Sequence, residues 1–207
     1  MRAVYVEKTT NELNYFVCTW NDEDKELEFK NTKSIAAKAF QNASIVKRVF
    51  FKENLSKIGK EAFKGCDDLD LFFCEKDTFL QPTENKAKDN EIYCIKSTEK
   101  NKNSNSDTTF TIESLAFSKC KNLHTVILPD CKKLVIEKDA FDGCSSLRTV
   151  VCFAEEIDFT ENPFESCPET LTFVGKREEN KEENKDENKT SELERFAREN
   201  GYRFIDA

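Results

Sequence analysis

Five times in this chain a small residue precedes a phenylalanine, and a small residue or cysteine follows three positions later. The units are Ala39-Phe40…Ala43, Ala62-Phe63…Cys66, Ala116-Phe117…Cys120, Ala140-Phe141…Cys144 and Pro163-Phe164…Cys167. The interval between these phenylalanines is nearly constant, except that it more than doubles from Phe63 to Phe117. A unit of this length cannot bury its own apolar side, so repeats of it must stack and share one core. The other columns agree. Five residues before each Phe stand Ile35, Ile58, Ile112, Ile136 and Phe159. Six after it stand Val46, Leu69, Leu123, Leu147 and Thr170; nine after it stand Val49, Phe72, Val126, Val150 and Phe173. Eleven after it stand Phe51, Cys74, Leu128, Cys152 and Gly175.

The stretch after the cysteine column alternates between faces, which is the period of a strand. The Ala-Phe-x-x-Cys segment is too short for a helix of its own and reads as a single helical turn or tight bend. Gly65 and Gly143 fall where such a bend needs left-handed backbone. Each coil is therefore expected to be one strand plus one turn, with coils about 4.8 Å apart.

The pattern Ile-x3-Ala-Phe-x2-Cys-x2-Leu-x2-Val resembles the BspA-like, or Treponema-type, leucine-rich repeat. It is carried most fully by Ile136, Ala140, Phe141, Cys144, Leu147 and Val150, and by Ile112, Ala116, Phe117, Cys120, Leu123 and Val126. The resemblance covers residues 34–176 apart from an insertion at about 75–109. It implies a leucine-rich-repeat β/α solenoid, right-handed, of about five coils, with a parallel sheet on the concave face and terminal caps. It also implies binding or adhesion, at a cell surface or in a secreted protein, with no catalytic residue to carry over.

Outside the repeats, Val4–Val6, Tyr15–Trp20 and Glu26–Phe29 read as short strands in an N-terminal cap or degenerate coil, residues 1–33. In the insertion, Thr78–Pro82 and Glu91–Ile95 suit a hairpin around Thr83–Asn90, with a degenerate extra coil that lacks an Ala-Phe pair as the competing reading, and 97–109 is a polar, flexible loop. Residues 177–190 carry Arg177, Lys181, Lys185 and Lys189 among acids, with no apolar residue, and read as a flexible linker. Ser191 with Glu194 starts a cap helix in 191–207. Leu193, Phe196 and Ala197 form its apolar stripe, Gly201 stops it and Tyr202–Ile205 returns as a strand.

A net charge of −8 disfavours nucleic acid and anionic membranes as partners. No apolar run reaches the eighteen residues that a spanning helix needs, and Met1–Phe16 lacks the apolar core of a signal peptide. That last feature points inside the cell, against the resemblance. Nine cysteines, an odd count with no C-x-x-C pair and one histidine, fit buried thiols better than disulfides or zinc. No nucleotide, zinc-protease or hydrolase motif is present, so no catalytic residue, metal or cofactor is expected. His124 reads as an exposed, non-catalytic side chain.

One feature goes beyond the scaffold. The outward position ten after each Phe holds Phe50, Phe73, Ile127, Val151 and Val174, and position eight holds Arg48, Leu71, Thr125, Thr149 and Thr172. An apolar row on the outside of a sheet marks an interaction surface, although ladder packing or cover by the insertion would also explain it. The expected function is a monomeric, non-enzymatic module. Phe50, Phe73, Ile127 and Val151 anchor a protein or extended ligand across the concave sheet, with Arg48 and the threonine row, Thr125 and Thr149 among it, as the polar rim, and Val174 and Leu71 on the same face. A structural spacer, or a thiol-dependent enzyme acting through Cys18, Cys94 or Cys131, are the alternatives.

Overall fold

The computed structural model describes residues 2–4, 17–21, 25–30, 33–51, 55–74, 78–82, 93–97, 109–176 and 191–206. In chain order the strands are β1 (Arg2–Val4), β2 (Val17–Asn21), β3 (Glu26–Lys30), β4 (Ser34–Ile35), β5 (Arg48–Phe51), β6 (Lys57–Ile58) and β7 (Leu71–Cys74). They continue with β8 (Thr78–Pro82), β9 (Tyr93–Ser97), β10 (Thr109–Ile112), β11 (Thr125–Ile127), β12 (Lys133–Ile136), β13 (Thr149–Val151), β14 (Glu156–Phe159) and β15 (Thr172–Gly175). Helix α1 (Glu192–Glu199) and β16 (Arg203–Asp206) follow.

Among the described residues nine strands form a long sheet, ordered β1-β2-β3-β5-β7-β11-β13-β15-β16, and five form a short one, β14-β12-β10-β6-β4. From β3 to β16 every neighbour in the long sheet is parallel, as is every neighbour in the short sheet. Strands β1, β2 and β3 run antiparallel to one another. The chain is a parallel solenoid, as the repeat predicts, but each coil carries two strands where the sequence suggests one. The isoleucine column lies on the second strand. Its first two members, β4 and β6, are two residues long, too short to display an alternating period.

Nor is the Ala-Phe bend helical. Two residues before the Phe, Lys38, Glu61, Leu115 and Asp139 take φ of 58–60°. Two residues after it, Asn42, Gly65, Lys119, Gly143 and Ser166 take φ of 59–72°. The chain flips into left-handed backbone on both sides of the first four rings, and after the ring alone at Phe164. This frees alternate amides for the neighbouring coil: Phe40 N–H donates to the Ala62 carbonyl, Phe63 to Ala116, Phe117 to Ala140 and Phe141 to Pro163, at 2.7–2.9 Å. Backbone hydrogen bonds thus join the coils at their bends as well as in both sheets. One consequence is crowding. At Gly59 a Cβ would lie 2.5 Å from the Ala37 nitrogen, so a side chain there would push two coils apart.

The phenylalanines stack as a continuous pile. Ring centroids of Phe40, Phe63, Phe117, Phe141 and Phe164 follow one another at 5.2, 5.3, 5.0 and 5.0 Å, with planes within 8° of parallel. Phe63, Phe117, Phe141 and Phe164 are wholly buried. Phe63 meets Phe117 directly, and β6 and β7 pair with β10 and β11, so the long spacing between them is a detour outside the stack. Within that detour β8 and β9 pair antiparallel, Thr78 opposite Ser97 and Pro82 opposite Tyr93. The hairpin expected from the sequence places its second strand two residues earlier.

Both ends differ from the middle. At the N-terminal end β3 continues the long sheet in coil register, Leu27 opposite Val49 and Phe29 opposite Phe51. At the C-terminal end Ser191 caps α1 by accepting from the Glu194 amide at 3.3 Å, and Gly201 leaves the helix at φ 73°. Phe196 then covers the last rings, its centroid 4.0 Å from that of Phe159 and 5.8 Å from that of Phe173. Gly175 makes room for this cap, since a Cβ there would meet Leu193 at 2.7 Å and the Cys152 carbonyl at 2.8 Å.

Candidate binding face

Strand alternation puts positions nine and eleven of each coil inside and positions eight and ten outside. The register then aligns the outside positions into rows. Phe50, Phe73, Ile127, Val151, Val174 and Ile205 stand opposite one another along the long sheet. So do Arg48, Leu71, Thr125, Thr149, Thr172 and Arg203. All nine site residues read from the sequence thus lie on one face of one sheet.

Their exposure differs from the expectation of an open patch. Phe73, Ile127, Val151 and Val174 are only 5, 2, 3 and 8% exposed and form an apolar cluster separate from the interior core. Phe50, Leu71, Phe153 and Ile205 pack against its margin, and the Phe50 and Phe73 rings sit 5.8 Å apart. Alternation fixes which face a side chain takes, and carries no information on whether that face is open. The accessible part of the surface is the neighbouring row. Leu71, Thr125, Thr149 and Thr172 are half-buried, and Arg48 and Arg203 are exposed. Arg48 pairs with Glu26 across the strands at 2.8 Å. One position further towards the bends, His124 Nδ1 lies 2.7 Å from Asp70 Oδ1, both side chains about half exposed. This pair borders the threonine row and is hydrogen-bonded without a nucleophile in the contact.

The cysteines do more than fill space. Cys66 donates its thiol hydrogen to the Phe40 carbonyl at 2.9 Å, Cys120 to Phe63 at 3.1 Å, Cys144 to Phe117 at 3.1 Å and Cys167 to Phe141 at 3.3 Å. Each thiol therefore ties its coil to the one before it. No sequence pattern shows this, because the acceptor is backbone in another repeat. Cys66, Cys74, Cys120, Cys131, Cys144, Cys152 and Cys167 are all free. Burial pushes the Cys66 thiol up to about 11 and those of Cys131 and Cys152 up to about 12. Of the cysteines outside the repeat columns, Cys131 is buried and donates to the Lys133 carbonyl at 3.5 Å. The Cys18 and Cys94 side chains lie outside the described residues. Among the described residues no cluster of His, Cys, Asp and Glu is placed to hold a metal ion, and no helix is long and apolar enough to cross a membrane.

The family model described as BspA type Leucine rich repeat region matches residues 11–82 and 91–181, in six copies. The copy beyond the five read from the sequence agrees with the coil register of β3. No curated protein matches the chain. Among solved structures, a Treponema pallidum leucine-rich repeat protein is similar at 20% identity and a TM-score of 0.47, over 77% of this chain and 68% of that one. The pneumococcal vaccine antigen PcpA is similar at 18% identity and a TM-score of 0.46, over 93% of this chain and 47% of its own. A leucine-rich cell surface protein of Faecalibacterium prausnitzii follows at 15% identity and a TM-score of 0.39, over 74% of this chain and 41% of that one.

Proposed function

The chain belongs to the BspA-type leucine-rich repeat family, and from that premise we propose that it is a non-enzymatic module binding a protein or other extended ligand along the outer face of its long sheet. The observation that carries the reading is the double row itself. One row, Phe73, Ile127, Val151 and Val174, is a packed apolar floor. The other, Leu71, Thr125, Thr149 and Thr172, stands beside it at regular intervals with Arg48 and Arg203 at its two ends. Such a surface offers a partner methyl and hydroxyl groups in register, on a support that does not have to reorganise on binding. Phe50 and Leu71, half-buried at one end, supply the apolar contact, and Arg48 and the threonines supply the polar rim. Adhesion would be the same contact made to a ligand fixed on a surface.

A thiol-dependent activity through Cys131 has the chemistry against it. The nucleophile is the thiolate, and a buried thiol pushed up to about 12 is almost wholly protonated near neutrality.

The test is selection of ligands from a displayed peptide or protein library against the purified chain, followed by binding to Thr125→Arg and Thr149→Arg variants. Both positions are half-exposed, so the variants should fold. The reading expects affinity for the selected ligands to fall at least about tenfold, equivalent to about 1.4 kcal/mol, and to survive Lys133→Glu on the short sheet. Ligands that ignore the threonine row and respond to the short sheet would overturn it.

A further inference from the structure

We propose that Cys144 and Cys167 are a site of reversible oxidation, closed into a disulfide by a small-molecule disulfide such as oxidised glutathione. The two residues hold the same position in consecutive bends. Just before them the Phe141 amide donates to the Pro163 carbonyl at 2.9 Å and the Gly143 amide to the Glu165 carbonyl at 3.4 Å. This register sets Cys144 beside Cys167, one coil apart, where the Phe141 and Phe164 ring centroids are separated by 5.0 Å. A disulfide accepts Cα atoms about 4.4–6.8 Å apart. The Cys167 sulfur already lies against its neighbour's backbone. The Phe141 carbonyl accepts the Cys167 thiol at 3.3 Å and the Cys144 amide at 3.1 Å, so thiol and amide converge on one oxygen. Closure draws the two Cβ atoms to about 4 Å, a shift that the last bend, with no coil beyond it, can supply.

Access singles out this pair among the four stacked thiols. Cys66, Cys120 and Cys144 are wholly buried, and Cys167 is partly exposed, so an external disulfide can reach one sulfur of the column. The Cys167 thiolate attacks one sulfur of the small disulfide, and the first thiol leaves from a mixed disulfide. The Cys144 thiolate then attacks the Cys167 sulfur and expels the second. Two S–H bonds are lost and one S–S bond is gained, while the small disulfide is reduced to two thiols that carry the two protons away. The product is neutral, as a buried site requires. Oxidation also orphans no acceptor. The Phe141 carbonyl keeps the Cys144 amide, and the Phe117 carbonyl, which loses the Cys144 thiol at 3.1 Å, keeps the Cys120 amide at 3.1 Å. Burial pushes the Cys167 thiol up, and a hydrogen bond with Cys120 together with burial pushes that of Cys144 up. A dithiol resists oxidation when its thiolate is stabilised, and here neither is, so the bridge once made is hard to reduce. The same retained protons make its formation slow, because the attacking species is the thiolate.

The bridge ties the last coil, and with it the Phe196 cap, to the coil before, and it closes a loop in the unfolded chain. It does not depend on which face binds a ligand. The test is to incubate the native full chain with excess oxidised glutathione at about pH 8.5, quench in acid, alkylate, and digest without reduction using trypsin and a glutamate-specific protease. The expected result is a cross-linked pair of peptides carrying Cys144 and Cys167, formed faster as pH rises, and a urea midpoint raised by about 1 M. Cys167→Ala, at the partly exposed member of the pair, should leave Cys144 reduced and the midpoint unmoved by glutathione. Both thiols recovered free, glutathione attached to Cys167 alone, a bridge from Cys144 to Cys120, or a bridged chain that unfolds at no higher urea would each overturn the proposal.

Discussion

Left-handed backbone at a residue with a side chain is where the smallest change can improve this protein. Lys119 holds φ 63° in the column that Gly65 and Gly143 fill with glycine. The Cβ crowds the following carbonyl in this conformation, so Lys119→Gly should stabilise the chain by about 1 kcal/mol, read as a higher urea midpoint. Gly143→Ala should lower the midpoint by a similar amount. A Cβ at its φ of 72° is strained even though its nearest neighbour, Lys119 Cγ, is 3.6 Å away. The thiols set a pH dependence at the same scale. In the unfolded chain they ionise from about pH 8.5, whereas burial pushes Cys66 up to about 11 and Cys131 and Cys152 up to about 12. The folded state keeps its protons longer, so this contribution is complete below the unfolded value and is lost as pH rises towards 12. Stability to urea should fall from about pH 8.5 upwards, by at most about 1.4 kcal/mol per pH unit per thiol, until the folded thiols ionise at about 11 to 12. The fall should be shallower in Cys152→Ala, and equal slopes in the two proteins would exclude that thiol as a cause.

The bend, with its ring and its thiol, is the element that holds coil to coil. Phe117 stacks on Phe63 at 5.3 Å and on Phe141 at 5.0 Å. Phe117→Ala should therefore cost about 3–5 kcal/mol. Phe40, half-open at the end of the pile, should cost clearly less in the same measurement. Cys144→Ala removes a buried sulfur and its 3.1 Å bond to the Phe117 carbonyl. Its cost by urea unfolding should be about 1.5 kcal/mol. Much of this element was legible beforehand. The spacing of Phe63, Phe117 and Phe141 announces stacked coils, and the glycines at 65 and 143 announce the left-handed turn. The second sheet was harder to read. Thr109-Phe110-Thr111-Ile112 does alternate, but its partners β4 and β6 are too short to repeat the signal. The role of the cysteines as donors was hidden because their acceptors are backbone atoms of another repeat. The rows at positions eight and ten could be assigned to the outer face from sequence. That Ile127 is 2% exposed there, while Thr125 is half-open, depends on packing that alternation does not record.

At the scale of the whole molecule, a stack whose units touch only their neighbours is as stable as its ends allow. Phe196 lies against Phe159, Phe164 and Phe173, and Leu193 fits the space left by Gly175. Phe196→Ala should therefore loosen β16 and β15 first. Hydrogen exchange should quicken at Phe204 and Phe173, with little change at Val126 or Phe72 in the middle of the long sheet. Uniform acceleration across the sheet would show instead that the chain opens as one unit. The detour between Cys74 and Thr109 has a consequence of another kind. Phe63 and Phe117 sit face to face as closely as rings from consecutive coils do, so the pile keeps its rhythm in space while the thread between two of its rungs runs long. Whatever hangs from that rung can be lengthened, shortened or exchanged without disturbing the beat of the rings.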